Sequence, residues 1–159
     1  MDGGSESIRV LFAVLITIAA VFDDMKRYKI SNRIVGVGFV VAVAVNVFEL
    51  FTTGKVVAYF SGGLVAFVIM LIAYAVMAVG AGDVKLAGVL GMFLGLDMIC
   101  KVLVLAFLYT GLLGTLVFLM GHSREIKLAI GKVHTIHYSL ALLFGEVCGL
   151  MTMYAEVWI

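Results

Sequence analysis

Apolar runs long enough to cross a bilayer, set end to end with short polar breaks, constrain this chain more than any other feature. A membrane helix needs about 20 mostly apolar residues, with a working range of about 17–25. Such runs lie near Ser7–Asp24, Ile34–Phe51, Val56–Val79, Val84–Cys100, Val102–Met120 and Ile136–Trp158. The chain is 64% hydrophobic and 13% charged, against about 45–50% and about 25% in soluble domains. One small core cannot hide that excess from water. The runs are continuous and lack the alternation of a membrane barrel. We therefore expect an all-α, polytopic membrane protein with about six transmembrane helices, forming one domain over residues 1–159. The fourth run is the weakest, because Asp97 interrupts its end and only Leu86–Leu96 is free of charge. A five-span form with a re-entrant fourth segment therefore also fits. Asp23, Asp24 and a basic cluster follow the first run without a small-residue cleavage site, which marks a retained span. Cys100 and Cys148 lie in apolar stretches and make no C-x-x-C pair, so they read as small buried hydrophobes.

Charge placement gives the orientation. Alternate loops put Lys26, Arg27, Lys29, Arg33, Lys85, Arg124, Lys127 and Lys132 on one face, and Arg9, Lys55 and Lys101 on the other, 8 against 3. The positive-inside rule assigns the richer face to the cytoplasm, which leaves both termini outside. The net charge of +1 selects no partner; the lipid bilayer is implied by composition, and no nucleic acid is expected. Asp24 ends the first span and Asp83 begins the fourth. The chain crosses twice between them, so they emerge on the same face whichever way the protein inserts. Segment Ser123–Thr135 is too polar to span. Arg124, Lys127, Gly131 and His134 share one helical face and Ile126, Ile130 and Val133 the other, so a surface helix and a solvated loop fit equally.

Carboxylates kept within hydrocarbon are costly and usually face a bundle interior or a watery cavity. Asp24, Asp83 and Glu146 are the candidates, while Asp23, Glu49, Asp97 and Glu156 stand at span ends as interfacial charges. Asp83 stands in Gly80-Ala81-Gly82-Asp83-Val84-Lys85. The glycines permit a sharp turn and close approach, against which a substrate backbone can lie as an added strand, and Gly82 leaves room for a partner acid. The plainer alternative is that they only break the helix between two spans. Like charges a few ångströms apart cannot both ionise, so two facing aspartates hold one shared proton near neutral pH. The ionised member then takes a proton from water, which attacks a scissile carbonyl. The protonated member stabilises the oxyanion and helps expel the amine. The two roles stay unassigned, because the titrations are coupled.

Asp24-x-x-x-x-x-Ile30-x-Asn32 after the first span and Gly80-x-Gly82-Asp83-x-Lys85-Leu86 before the fourth together resemble the motifs of the prepilin peptidases. These are membrane aspartyl proteases of type IV pili, related secretion systems and archaeal flagella. The resemblance covers nearly the whole chain. It implies a catalytic pair, Asp24 and Asp83, facing the cytoplasm, with Gly80, Gly82, Lys85 and Asn32 in support and neither metal nor cofactor. It also implies a pilin-like precursor as partner, cut between a short basic leader and a hydrophobic helix. Three departures stand out. Ile30-Ser31-Asn32 replaces the frequent Ile-Pro-Asn, which gives up the fixed φ of proline. No cytoplasmic insertion with paired cysteines is present, so N-methylation of the product is not expected. Asp23 adjoins Asp24, but adjacent helical residues diverge by about 100° and cannot face Asp83 equally. Presenilin-type proteases share Gly-x-Gly-Asp but have more spans and deeper aspartates.

Other residues carry plainer readings. Lys85 reads as a snorkelling anchor, Asn32 as a cap of the second span or a site hydrogen bonder, and Glu146 as a packing residue. His134 and His137 read as loop histidines. Gly88, Gly91 and Gly95 line one face of the fourth run for close helix packing. The alternative function is a small cation or proton-coupled transporter using Asp24, Asp83 and Glu146.

Overall fold

A computed structural model describes residues 3–27, 29–52, 57–76, 78–119 and 138–157. Segment Ser123–Thr135, with His134, and His137 lie outside the described residues. Among the described residues five helices follow one another: α1 (Gly3–Arg27), α2 (Asn32–Thr52), α3 (Val57–Ala75), α4 (Ala81–Leu119) and α5 (Tyr138–Val157). Three of them, α2, α3 and α4, hold stretches long and apolar enough to cross a membrane. Phe48, Phe51, Val57, Leu64 and Val76 point outward with most of their surface uncovered. Side chains of that kind over whole helices need lipid around them, and the chain is a membrane protein.

The central element is α4, which packs against each of the other four helices. Of its most apolar stretch 56% is buried inside the protein, against 28% for α2 and 22% for α3. Leu86, Leu90, Phe93, Ile99 and Val102 of α4 form the middle of the core. The broadest packing is α3 on α4, and small residues permit it. A methyl added to Gly91 would collide with the Gly62 carbonyl oxygen, so here backbone rests on backbone.

The expected boundary between a fourth and a fifth span at Lys101 is corrected by the structure. Ala81–Leu119 is two helical stretches joined at a kink, and the break falls at Gly95, with φ 78° and ψ 175°. Only glycine adopts such torsions without strain, whereas Lys101 continues the helix as an exposed side chain. The arm before the break, 81–94, is about 21 Å long at 1.5 Å per residue, less than the ~30 Å hydrocarbon layer. Five helices are thus described where about six crossings are expected, with α4 divided into two arms.

The break is tied into a buried polar knot. Regular geometry would give the Met92 carbonyl to the Leu96 N–H; here Asn46 Nδ2 donates to it at 3.0 Å and an Arg9 nitrogen at 3.4 Å. Arg9 is only 1% exposed. Its Nε donates to Glu49 Oε1 at 2.9 Å, a second nitrogen bonds Glu49 Oε2, and two nitrogens reach Asn46 Oδ1 at 3.2 Å. The guanidinium carbon stands 3.7 Å from the centre of the Tyr59 ring. This corrects the placement of Arg9 as a surface charge and of Glu49 as an interfacial one: both are interior, and each neutralises the other. Cys100 and Cys148 are free and half-buried, where full burial is expected from the sequence.

Candidate functional site

The opposite end of the bundle, where α1 finishes and α4 and α5 begin, gathers the acids. At the start of α4 the Gly80 carbonyl accepts from the N–H groups of Asp83 at 3.1 Å and Val84 at 3.3 Å. Asp83 Oδ2 accepts in return from the Gly80 N–H at 3.2 Å. This is a reciprocal cap, and a carboxylate also suits the positive end of the helix dipole. Capping occupies one carboxylate oxygen, and the other, Oδ1, is buried. The polar groups of Gly80 are spent inside this turn, so the expected pairing of an added substrate strand there is not supported.

Gly82 has a different task from the one expected. It leaves room for Ile30 and not for a second acid: a methyl on Gly82 would lie 3.0 Å from Ile30 Cβ. Ile30 is itself buried. The two sequence motifs are therefore in contact, and a second link joins them, with Lys85 Nζ donating to Asn32 Oδ1 at 3.1 Å. Lys85 and Asn32 are both exposed. Asn32 is not the cap of α2. Ser31 is, its Oγ accepting from the Arg33 N–H at 3.3 Å and its carbonyl from Ile34 at 3.1 Å.

The neighbouring aspartates of α1 diverge. Asp23 Oδ2 accepts from the Ser31 N–H at 2.8 Å, and Oδ1 pairs with Arg27 at 3.3 Å. Asp23 thus holds the α1–α2 loop, through an N–H that a proline at this position would lack. Asp24 turns to the last helix instead, where Ser139 Oγ donates to its Oδ2 at 2.8 Å. Tyr138, the residue before Ser139, is buried and packs its ring on Phe107 at 5.7 Å between centroids. The first turn of α5 therefore meets Asp24 through Ser139. Tyr138 and Ser139 escaped the sequence reading, although crossing parity also brings the last span back to this face. Glu146 is fully buried two turns further along α5, on the same side as Ser139.

Beside this end lies an apolar groove of about 660 Å³ between α2, α3 and α4, with Asn32 and Lys85 at its rim and Gly36, Gly63, Gly88 and Phe67 among its lining.

Close packing of Ile30 on Gly82 predicts the first substitution effect. Alanine is the better helix former by about 1 kcal/mol, so Gly82→Ala would stabilise an uncrowded position. We expect instead a net loss of about 1–3 kcal/mol, read as a lower thermal midpoint in detergent. A gain would show that Ile30 does not rest on this glycine.

Among known proteins, the model of the type IV leader peptidase family matches residues 10–119. The match contains both aspartate motifs and ends before α5. Neither a curated protein nor a solved structure matches the chain. With the family's pattern running through the greater part of the sequence, the chain belongs to the type IV leader peptidase family, a family of proteases.

Proposed function

We propose that the chain is an aspartic endopeptidase of the cytoplasmic membrane that removes the basic leader of pilin-like precursors, with Asp24 and Asp83 as its catalytic pair. The observation that carries this reading is the contact between the two motifs, Ile30 on Gly82 and Asn32 on Lys85. Through it, two acids far apart in sequence share one end of the bundle. In the proposed reaction the ionised aspartate accepts a proton from water as its oxygen attacks the leader's last carbonyl. The protonated aspartate hydrogen-bonds the oxyanion and then passes its proton to the leaving amine.

Orientation follows from charge. With Arg9 drawn into the interior, the basic count becomes 8 against 2, which favours the acid-bearing end as the cytoplasmic one. About six crossings, counting the two arms of α4 separately, keep that topology. A basic leader would then lie in the cytoplasm and the precursor's hydrophobic helix in the bilayer. The groove between α2, α3 and α4 suits that helix: it is mostly apolar, has Gly36, Gly63 and Gly88 in its lining, and reaches Asn32 and Lys85.

The test is cleavage of a tagged pilin precursor in membranes containing this chain, by wild type and by single aspartate-to-asparagine variants. Leader release that needs Asp24 and Asp83 supports the proposal; release independent of either overturns it. Occupation of the groove gives a second expectation. Open space surrounds the place a side chain at Gly36 would take, so Gly36→Leu folds but fills the groove. We expect KM to rise about 10-fold at unchanged kcat, the pattern of lost uniform binding. An unchanged KM would move the precursor's helix elsewhere.

A further inference from the structure

We infer that Asp23, the neighbour of one acid of the catalytic pair, is a positioning residue that sets where that acid stands relative to the other. The inference rests on the reading of Asp24 and Asp83 as the pair. It gives Asp23 no part in proton transfer; the residue acts through the turn between α1 and α2.

The contacts lie in series. Asp23 Oδ2 accepts from the Ser31 N–H at 2.8 Å, and the Asp23 side chain is only 15% exposed. Ser31 stands between the two residues that reach α4. On one side Ile30, 4% exposed, rests on Gly82. On the other, Asn32 accepts from Lys85 at 3.1 Å. Gly82 and Lys85 in turn bracket Asp83 in the sequence. Asp23 is thus bonded to the middle of the three-residue stretch that carries both links between the motifs, and its own backbone continues into Asp24.

The bond has a physical reason to form at this place. The Ser31 N–H precedes the helix that Ser31 caps, so α2 supplies no acceptor for it. The other Asp23 oxygen pairs with Arg27 one turn on, at 3.3 Å, which fixes the rotation of the carboxylate. The two links to α4 need this support. Ile30 meets Gly82 through apolar contact alone, which has no direction. Lys85 and Asn32 are both exposed, so water competes for their bond. The bond from Asp23 is the part-buried one. A packing role for Asp23 would need only its bulk, whereas a positioning role needs an acceptor oxygen facing Ser31.

Asp23→Ala removes the acceptor, and Asp23→Asn keeps one, because an amide oxygen also accepts. In the precursor cleavage assay we expect kcat of Asp23→Ala to fall about 10- to 100-fold, the scale of a small misplacement of reacting groups. KM and the thermal midpoint should stay close to wild type, and Asp23→Asn should restore kcat. Ser31→Pro tests the donor, since proline has no N–H. In that background Asp23→Ala should cost nothing further in kcat, because the bond is already gone. A wild-type kcat for Asp23→Ala overturns the inference, as does a loss of kcat accompanied by equal changes in KM and thermal midpoint. An equal loss in Asp23→Asn, or a second full loss on top of Ser31→Pro, overturns it too. Asp83→Asn in the same assay keeps the two readings distinct. Cleavage abolished by Asp83→Asn but untouched by Asp23→Ala removes the role of Asp23 alone. Cleavage surviving Asp83→Asn removes the pair itself, and the role of Asp23 with it.

Discussion

Asp24→Asn and Asp83→Asn are each expected to lower leader cleavage by about 10³-fold or more, while both variants insert and fold. The magnitude is that of removing a group that transfers protons in the transition state. Folding is spared because the amide oxygen of asparagine still accepts hydrogen bonds. At position 83 it can take the Gly80 N–H and start α4, and at position 24 it can take the Ser139 hydroxyl. Asp23→Asn is the matched control. It keeps an acceptor for the Ser31 N–H and loses the pairing with exposed Arg27, an interaction worth about 0–1 kcal/mol. Its cleavage rate should stay close to wild type. The measurement is the initial rate of leader release at equal membrane content of enzyme. A rate for Asp24→Asn near that of Asp23→Asn would rule out Asp24 as a member of the pair.

The second large effect lies at the far end of the bundle. Arg9→Met is expected to destabilise the protein by about 3–5 kcal/mol, because removing one member of a buried ion pair strands the other. Glu49 would lose the guanidinium that bonds its carboxylate, and the Asn46 amide oxygen would lose both its donors from Arg9. Replacing both charges, as Arg9→Met with Glu49→Leu, should recover most of the loss, since a well-packed apolar pair can match a buried ionic one. Thermal midpoints in detergent for the two single variants and the double variant form the cycle. A double-variant loss equal to the sum of the two single losses would mean that Arg9 and Glu49 act separately.

Much of this was legible before any coordinates. Helices follow from the length of the apolar runs, and the shared end of Asp24 and Asp83 follows from counting crossings. Contacts within each end were not legible. Arg9 reads as a surface charge because hydropathy treats each residue alone, and only folding brings Glu49 and Asn46 to it. Gly95 reads as one of three packing glycines and does pack against Gly62 and Tyr59 of α3, but its torsions also break α4, which spacing alone does not show. Gly82 seems to make space for an acid, but Ile30 fills it. Tyr138 and Ser139 follow a polar segment without a motif of their own, and a motif search passes over them. In each case the missing information was which side of a helix meets which neighbour, and helices apolar all round leave no periodicity to tell.

Phe39, Phe60, Leu64 and Phe67 border the groove between α2, α3 and α4 and are exposed on the outer surface, so the groove opens sideways and not toward water. For a precursor bound there, the bilayer is the reaction solvent. Encounter becomes a two-dimensional search, and the quantity that sets the rate is the mole fraction of precursor among lipids. Adding lipid or detergent at constant protein dilutes enzyme from substrate without changing either bulk concentration. An apparent KM expressed per volume should therefore rise in proportion to the added amphiphile, and become constant when expressed per lipid.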